Sequence, residues 1–125
     1  MTLKKLTTLL VVDAIEPCLP QWQALGYRVV TSVPEAGPLG FAILASAAGE
    51  LMLQTRASVK EDLPSVATGN PGFLLYADVA SLEQAKAALK GATVLVPRRK
   101  TFYGATEAWL QLEGGAVLGL SEHAD

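Results

Sequence analysis

Apolar residues occur in short runs with strand-like spacing, and turn-forming residues separate these runs. In the first half of the chain, such runs predict four strands, over residues 6–12, 27–33, 39–47 and 51–56. Between the first two runs, the apolar residues recur every three or four positions, which is typical of one face of a helix. These residues are Ile15, Leu19, Trp22 and Leu25, and Gly26 follows as a stop signal. The first half is therefore predicted to be strand, helix, strand, strand, strand.

The second half repeats this order of elements. A strand is predicted over residues 73–77, and Ser81 followed by Gln84 forms a capping box that predicts a helix start. Gly91 is placed to end that helix, and residues 93–97 read as the next strand. Two further apolar runs meet at a Gly-Gly pair, residues 114–115, and predict a closing hairpin.

Equivalent residues of the two halves recur at a nearly constant offset. Asp13 and Asp78, and likewise Gly26 and Gly91, lie 65 positions apart, and Gly49 lies 66 positions before Gly115. This spacing predicts an internal βαβββ duplication. We therefore expect a single domain over residues 1–125, built of two modules, about 1–56 and 71–125, joined by a linker over residues 57–70.

Several short segments stand out by their order and spacing: Leu25-Gly26-Tyr27, Glu50 to Gln54, Tyr103-Gly104, Glu107-Ala108-Trp109 and Gly115. In this order and spacing they resemble the vicinal oxygen chelate superfamily, which includes glyoxalase I, extradiol dioxygenases and bleomycin resistance proteins. The resemblance implies an α+β fold in which two βαβββ modules form curved mixed sheets, the glyoxalase/bleomycin resistance fold. It also implies a cup-shaped cavity and, in many members, a homodimer.

Metal-dependent members of that superfamily hold a divalent cation with His, Glu or Gln, and this chain lacks such residues at the matching positions. The positions fall on Leu6, residues 71–73 and Gly119, and the fourth strand offers only Gln54. A catalytic cation needs at least three protein ligands and an open position. The single histidine, His123, lies in the last three residues, where chains are usually loose. We therefore predict no metal, no cofactor and no catalytic residue.

Charge and composition limit the classes of binding partner and the cellular location that we expect. The net charge is −2, with 10 basic and 12 acidic residues, which gives no broad footprint for nucleic acid or an anionic membrane. The run Arg98 to Lys100 is either a solvated turn or a rim that attracts an anion. Cys18 is the only cysteine, and neither a signal peptide nor an apolar segment of about 20 residues is evident, so a cytoplasmic location is expected. The mean hydropathy of +0.32 indicates apolar surface buried between subunits or around a ligand.

Strand alternation in the last hairpin places Glu107, Trp109 and Gln111 on one face and small aliphatic residues on the other. We expect the aliphatic face to pack against helices and the other face to line the cup. Trp109 then either contacts a flat or cationic ligand or fills a core or dimer seam. Glu107 receives a cationic group, acts as a base or bonds to nearby backbone. Tyr103, in the preceding loop, either contacts ligand or plugs the barrel end.

These observations favour a metal-free binding protein that sequesters a hydrophobic or aromatic molecule, as bleomycin resistance proteins do. The predicted ligand contacts are Trp109, Tyr103, Glu107, Phe41 and Gln54. One alternative is a lyase, an isomerase or a dioxygenase-like enzyme of the same superfamily that acts on a small carbonyl compound. Another is a structural or regulatory dimer without a specific ligand.

Overall fold

The computed structural model describes residues 1–124, which form eight strands and four short helices. The strands are β1 (Lys5–Val12), β2 (Arg28–Val33), β3 (Phe41–Ser46), β4 (Gly49–Thr55), β5 (Phe73–Asp78), β6 (Thr93–Lys100), β7 (Ala105–Gln111) and β8 (Val117–His123). The helices are α1 (Leu19–Ala24), which continues a 3₁₀ turn over Glu16–Cys18, α2 (Arg56–Asp62), α3 (Pro64–Ala67) and α4 (Leu82–Ala88).

The chain divides into two compact units. The first unit spans Thr8–Phe73, and the second combines Met1–Thr7 with the chain from Leu74 onward. In the first unit the strand order is β2-β3-β4-β1, and in the second it is β6-β7-β8-β5. In both orders the last pair is parallel and the other two pairs are antiparallel. Each unit therefore has the predicted βαβββ element order and a mixed sheet.

In the first unit, one face of the sheet packs against the 3₁₀ turn and α1. The buried members of this core are Ile15, Ala42, Leu44, Leu51 and Leu53, with Trp22 and Leu19 packed against them. Leu25 was expected to complete the helical face, but it is 69% exposed. The helix ends at Ala24, and Gly26 turns the chain away with a φ of +93°. Leu25 is therefore the C-cap of a short helix rather than part of its apolar stripe.

In the second unit, α4 covers one face of the sheet. Its Leu82 and Ala85 form a buried cluster with Ala77, Val79, Ala108, Leu110, Leu118 and Leu120. The predicted cap is present, because the Ser81 hydroxyl accepts a hydrogen bond from the Gln84 amide at 3.2 Å. A Glu122 carboxylate oxygen also accepts from the Leu82 amide at 2.7 Å. The side chains opposite this packed face are thereby free to form a site.

Two segments differ from the sequence-based expectation. Residues 57–70, predicted as a linker, carry most of α2 and all of α3, and the Thr55 hydroxyl caps α2 by accepting from the Ser58 amide. β6 continues beyond residue 97 to Lys100, so the basic run belongs to a strand. Pro97 is tolerated there because β6 is a terminal strand with irregular register, where a missing N–H breaks no ladder hydrogen bond.

Within residues 1–124, none of the helices is long and apolar enough to cross a membrane.

Candidate functional site

The face of the second sheet that lies opposite α4 carries a cluster of polar side chains, and we call it the polar face. Along β5, β7 and β8, residues of this face alternate with the aliphatic residues that pack against α4. The residues of the polar face are Tyr76 and Asp78 on β5, Arg99 on β6, Glu107 and Trp109 on β7, and Gly119, Ser121 and His123 on β8. Glu107 lies opposite both Ser121 and Arg99, and Trp109 lies opposite Gly119. The predicted division of β7 into an aliphatic and a polar face is present in the structure.

Glu107 is the centre of the polar face. Its side chain is 1% exposed, and both carboxylate oxygens accept two hydrogen bonds. The Tyr76 and Tyr103 hydroxyls donate to Oε2 in two short bonds. Arg99 Nη1 donates to Oε1 at 2.9 Å, and Trp109 Nε1 donates to the same oxygen at 3.1 Å. A carboxylate has about four acceptor positions, so Glu107 is saturated.

Trp109 fills the space above Gly119. The indole is 2% exposed, and a Cβ added to Gly119 would lie 2.6 Å from both Cη2 and Cζ2 of the ring. The Tyr76 ring packs beside the indole, with 5.9 Å between the ring centroids and a 42° tilt. Only a residue without a side chain fits at position 119 while the indole keeps this position.

Both tyrosine hydroxyls that donate to Glu107 hold their protons tightly. Burial, together with the neighbouring Glu107 carboxylate, raises the pKa of Tyr103 to about 12. The same two causes raise the pKa of Tyr76 further above its ordinary value. Deprotonation would place a phenolate beside a carboxylate in a poorly solvated position, which both effects oppose. At neutral pH both residues are therefore neutral hydrogen-bond donors to Glu107.

Tyr103 is held in a tight loop at the edge of the polar face. The Thr101 amide and hydroxyl both bond to the Ala105 carbonyl, and the Gly104 amide donates to the Thr101 carbonyl at 3.3 Å. Tyr103 is 48% exposed and Phe102 is 84% exposed, and their rings meet edge to face with 5.1 Å between centroids. The loop therefore presents an aromatic surface to solvent from an anchored backbone.

Asp78 and His123 form a second polar pair on the same face. His123 Nε2 lies 3.6 Å from Asp78 Oδ1, and their side chains are 50% and 33% exposed. The His123 ring lies beside that of Tyr103, with 6.4 Å between centroids. His123 belongs to β8, so the expectation of a loose terminal residue does not apply to it. The pair is accessible to a ligand, in contrast to Glu107.

The other two predicted contacts lie in the first unit. Phe41 on β3 and Gln54 on β4 are direct cross-strand partners, so their side chains share one face. Gln54 is 7% exposed, and its amide donates to the Ser58 hydroxyl at 2.9 Å. Phe41 is half-buried. Tyr103, Glu107 and Trp109 thus form one cluster and Phe41 with Gln54 another, and a role in ligand binding stays a prediction for all five.

The residues present do not fit the metal centre that the superfamily resemblance implies. Among residues 1–124, no three His, Cys, Asp or Glu side chains lie together in a way that would hold a metal ion. At Gly119, the indole of Trp109 occupies the space that a ligand side chain would need. The Gln54 amide is bonded to Ser58.

Sequence reasoning did not propose Tyr76, Asp78, Arg99, Ser121 or His123 as site residues. Tyr76 lies on a strand whose register the sequence does not fix, and Arg99 lies where a turn was one expectation. His123 was set aside because of its position near the end of the chain. Alternation gives a usable signal in retrospect, since Tyr76 and Asp78 flank the aliphatic Ala77 as Glu107 and Trp109 flank Ala108.

Solved structures with a similar fold cover nearly the whole chain. A glyoxalase/bleomycin resistance protein/dioxygenase superfamily member from Vibrio splendidus 12B01 superposes with a TM-score of 0.70 at 16% identity, covering 97% of this chain and 99% of that one. A protein from Staphylococcus aureus gives 0.69 at 16% identity, covering 99% and 100%. A hypothetical protein from Bacillus halodurans C-125 gives 0.70 at 17% identity, covering 99% and 95%.

No family model matches the sequence, and no curated protein is significantly similar to it. The structural likeness at this low identity establishes the fold. The chain has the glyoxalase/bleomycin resistance fold, which confirms the predicted fold class.

Proposed function

We propose that this protein binds a hydrophobic or aromatic small molecule without using a metal, as bleomycin resistance proteins do. The saturation of Glu107 carries the proposal. A general base needs a free lone pair directed at the proton that it removes, and all acceptor positions of Glu107 are taken. The four hydrogen bonds instead hold the side chains of two tyrosines, an arginine and a tryptophan in one fixed arrangement. A fixed arrangement of aromatic rings favours recognition over proton transfer at this carboxylate.

The contact surface that we propose is the exposed loop next to this network. Phe102 and Tyr103 offer two rings, one of them held through its hydroxyl by Glu107. An aromatic ring packed on such a pair contributes about 0.5–1.5 kcal/mol beyond the burial of apolar area. Apolar burial and stacking would supply most of the affinity, and the polar atoms nearby would fix the orientation of the ligand.

The binding proposal is tested by titrating aromatic compounds while recording the two indole N–H signals by NMR. Trp109 Nε1 and Arg99 donate to the same Glu107 oxygen. A ligand that contacts Tyr103 and displaces the hydrogen bonds to Glu107 should therefore shift the Trp109 indole signal. The indole signal of Trp22 serves as the internal reference. Phe102→Ala should weaken binding, whereas Leu25→Ala, which truncates an exposed apolar side chain of the first unit, should not. Absence of any saturable shift across planar, cationic and neutral compounds at millimolar concentration would reject the proposal.

A second candidate is an enzyme that acts on a small carbonyl compound, and the Asp78–His123 pair is the observation that favours it. A histidine beside a carboxylate is a common general acid and base, and this pair is accessible. Such a pair would remove a proton from the carbon next to a carbonyl. Proton NMR in D₂O would detect the resulting exchange of that hydrogen for deuterium. Exchange no faster than in buffer, or equal rates for the wild type and His123→Gln, would reject this candidate.

We also propose that the protein is a homodimer with no nucleic acid or membrane partner. Apolar side chains are exposed on both terminal strands: Val30 and Val33 on β2, and Val94 on β6. Exposed apolar groups on a strand edge favour association with another chain. Analytical ultracentrifugation checks this directly, and a monomer at micromolar concentration would contradict it.

A further inference from the structure

The hydrogen-bond polarity of the polar face restricts the chemical class of its ligand. A tyrosine hydroxyl has one proton and two lone pairs. The protons of Tyr76 and Tyr103 are both directed to Glu107 Oε2. The two phenol oxygens, 3.4 Å apart, are therefore left with lone pairs only for any other partner, and the neighbouring Ser121 hydroxyl is one such partner of Tyr76. Toward a ligand, these two residues act as acceptors.

The charges around the two phenols act in the same direction. Arg99 is the cation of the cluster, and it is bonded to Glu107 with its side chain 26% exposed. The charge of Arg99 is thus balanced by Glu107. Asp78, at 33% side-chain exposure, adds a further carboxylate on the same face, with His123 as its ion-pair partner only when that histidine is protonated. A ligand that approaches the phenols meets acceptors and a carboxylate.

Aromatic surface adjoins these acceptors. The Tyr103 ring, whose hydroxyl is one of the two acceptors, also contacts the exposed Phe102 ring. A cation placed over the face of a tyrosine or phenylalanine ring is attracted by the negative potential of that face. The same few atoms therefore favour a positively charged donor in two independent ways.

We infer that the ligand carries a protonated amine, or another positively charged hydrogen-bond donor, attached to an aromatic or hydrophobic body. The donor group bonds to the phenol oxygens of Tyr76 and Tyr103, and Asp78 supplies the opposite charge. The body of the ligand packs on Phe102 and Tyr103. A carboxylate ligand is disfavoured, because its lone pairs would face those of the two phenols. This inference rests on the proposed binding function and adds the chemistry that the site selects.

Four probes with a common phenyl group separate this inference from the binding proposal itself: 2-phenylethylamine, 2-phenylethanol, ethylbenzene and 3-phenylpropionate. Their affinities are measured by NMR titration of the full chain at neutral pH. We expect the amine to bind about tenfold more tightly than ethylbenzene, as for one hydrogen bond to a charged group, and the carboxylate to bind most weakly. If 3-phenylpropionate or ethylbenzene equals the amine, the inference is wrong while the binding function stands. If none of the four binds but another compound of the aromatic panel does, the inference is wrong while the binding function stands; if no compound binds, both are wrong.

Two variants locate the preference at the named atoms. Phe102→Leu removes an aromatic face but keeps an apolar side chain, and Asp78→Asn removes the charge but keeps the shape. Each should lower the ratio of amine to ethylbenzene affinity by about threefold to tenfold while ethylbenzene binding persists. Tyr27→Phe, in the first unit, is the control and should leave the ratio unchanged. Retention of the wild-type ratio in both site variants, with folding verified by the amide NMR spectrum, would overturn the inference.

Discussion

The indole of Trp109 lies directly against the backbone of Gly119, its cross-strand partner on β8. A methyl group at position 119 would overlap two ring carbons at 2.6 Å, so the ring or the strand would have to move. We predict that Gly119→Ala lowers the free energy of unfolding by about 1–3 kcal/mol, the usual cost of overpacking a core. Urea denaturation monitored by far-ultraviolet circular dichroism measures the change.

Two comparisons isolate the overlap as the cause. A Cβ at Gly72 meets no atom within 4 Å, and Gly72 has no positive φ, so Gly72→Ala should change stability by less than about 0.5 kcal/mol. Combining Gly119→Ala with Trp109→Leu should cost less than the sum of the two single changes, because the smaller side chain leaves room for the methyl group. Additive losses would show that the indole does not require glycine at this position.

Glu107→Gln should destabilise the fold strongly. The amide nitrogen of glutamine is a donor, so at least one of the four groups that bond to Glu107 would face another donor, and Arg99 would lose its ion pair. We expect a loss of about 3 kcal/mol in the free energy of unfolding. Glu113→Gln, in the exposed hairpin turn, is the matched control and should be nearly neutral. Equal effects of the two changes in urea denaturation would contradict the role of Glu107.

The raised tyrosine pKa values predict a loss of stability at alkaline pH. Above the ordinary tyrosine pKa of 10.0, the unfolded chain releases protons that the folded chain still holds on Tyr76 and Tyr103. The contribution of these two tyrosines to the free energy of unfolding is complete below pH 10. It is lost as the pH rises through about 12, where Tyr103 titrates in the folded state. The urea midpoint should fall less steeply over this range in the variant Tyr76→Phe/Tyr103→Phe. Parallel curves would refute this coupling.

The cap of α4 gives a prediction that is independent of the site. Ser81→Ala removes the acceptor of the Gln84 amide and should cost about 1 kcal/mol. Ser65→Ala, at an exposed position of α3, tests the same substitution without a cap and should stay within about 0.5 kcal/mol. Thermal unfolding followed by circular dichroism compares the two, and a Ser81→Ala midpoint no lower than that of Ser65→Ala would refute the cap.

The fold could be predicted from the sequence because its signals are local and occur twice. Ser81 and Gln84 indicate a helix start through a local signal that does not depend on what the helix packs against. Asp13 and Gly26 recur as Asp78 and Gly91, and this recurrence indicates that both modules have the same order of elements. The helices of residues 57–70 escaped notice because Pro64 and the polar residues around it weaken any helical period.

The site could be predicted only in part, because its chemistry depends on partners that are distant in the sequence. Alternation on β7 placed Glu107 and Trp109 on one face, and that placement is observed. The four donors to Glu107 come from three strands and a loop, and no local pattern reports which of them converge. From the sequence, Glu107 can receive a cation, act as a base or have a structural role. In the structure, all hydrogen-bond acceptor positions of its carboxylate are occupied.

The network around Glu107 also has a consequence for local unfolding. Tyr76 lies on β5 and Arg99 on β6, the two strands at opposite ends of the order β6-β7-β8-β5, and one carboxylate on β7 bonds to both. Loosening either end breaks a bond at the shared centre, so the four strands should open as one cooperative unit in native-state hydrogen exchange. Substitutions of these residues that alter ligand binding will therefore also alter how often the whole four-stranded sheet opens.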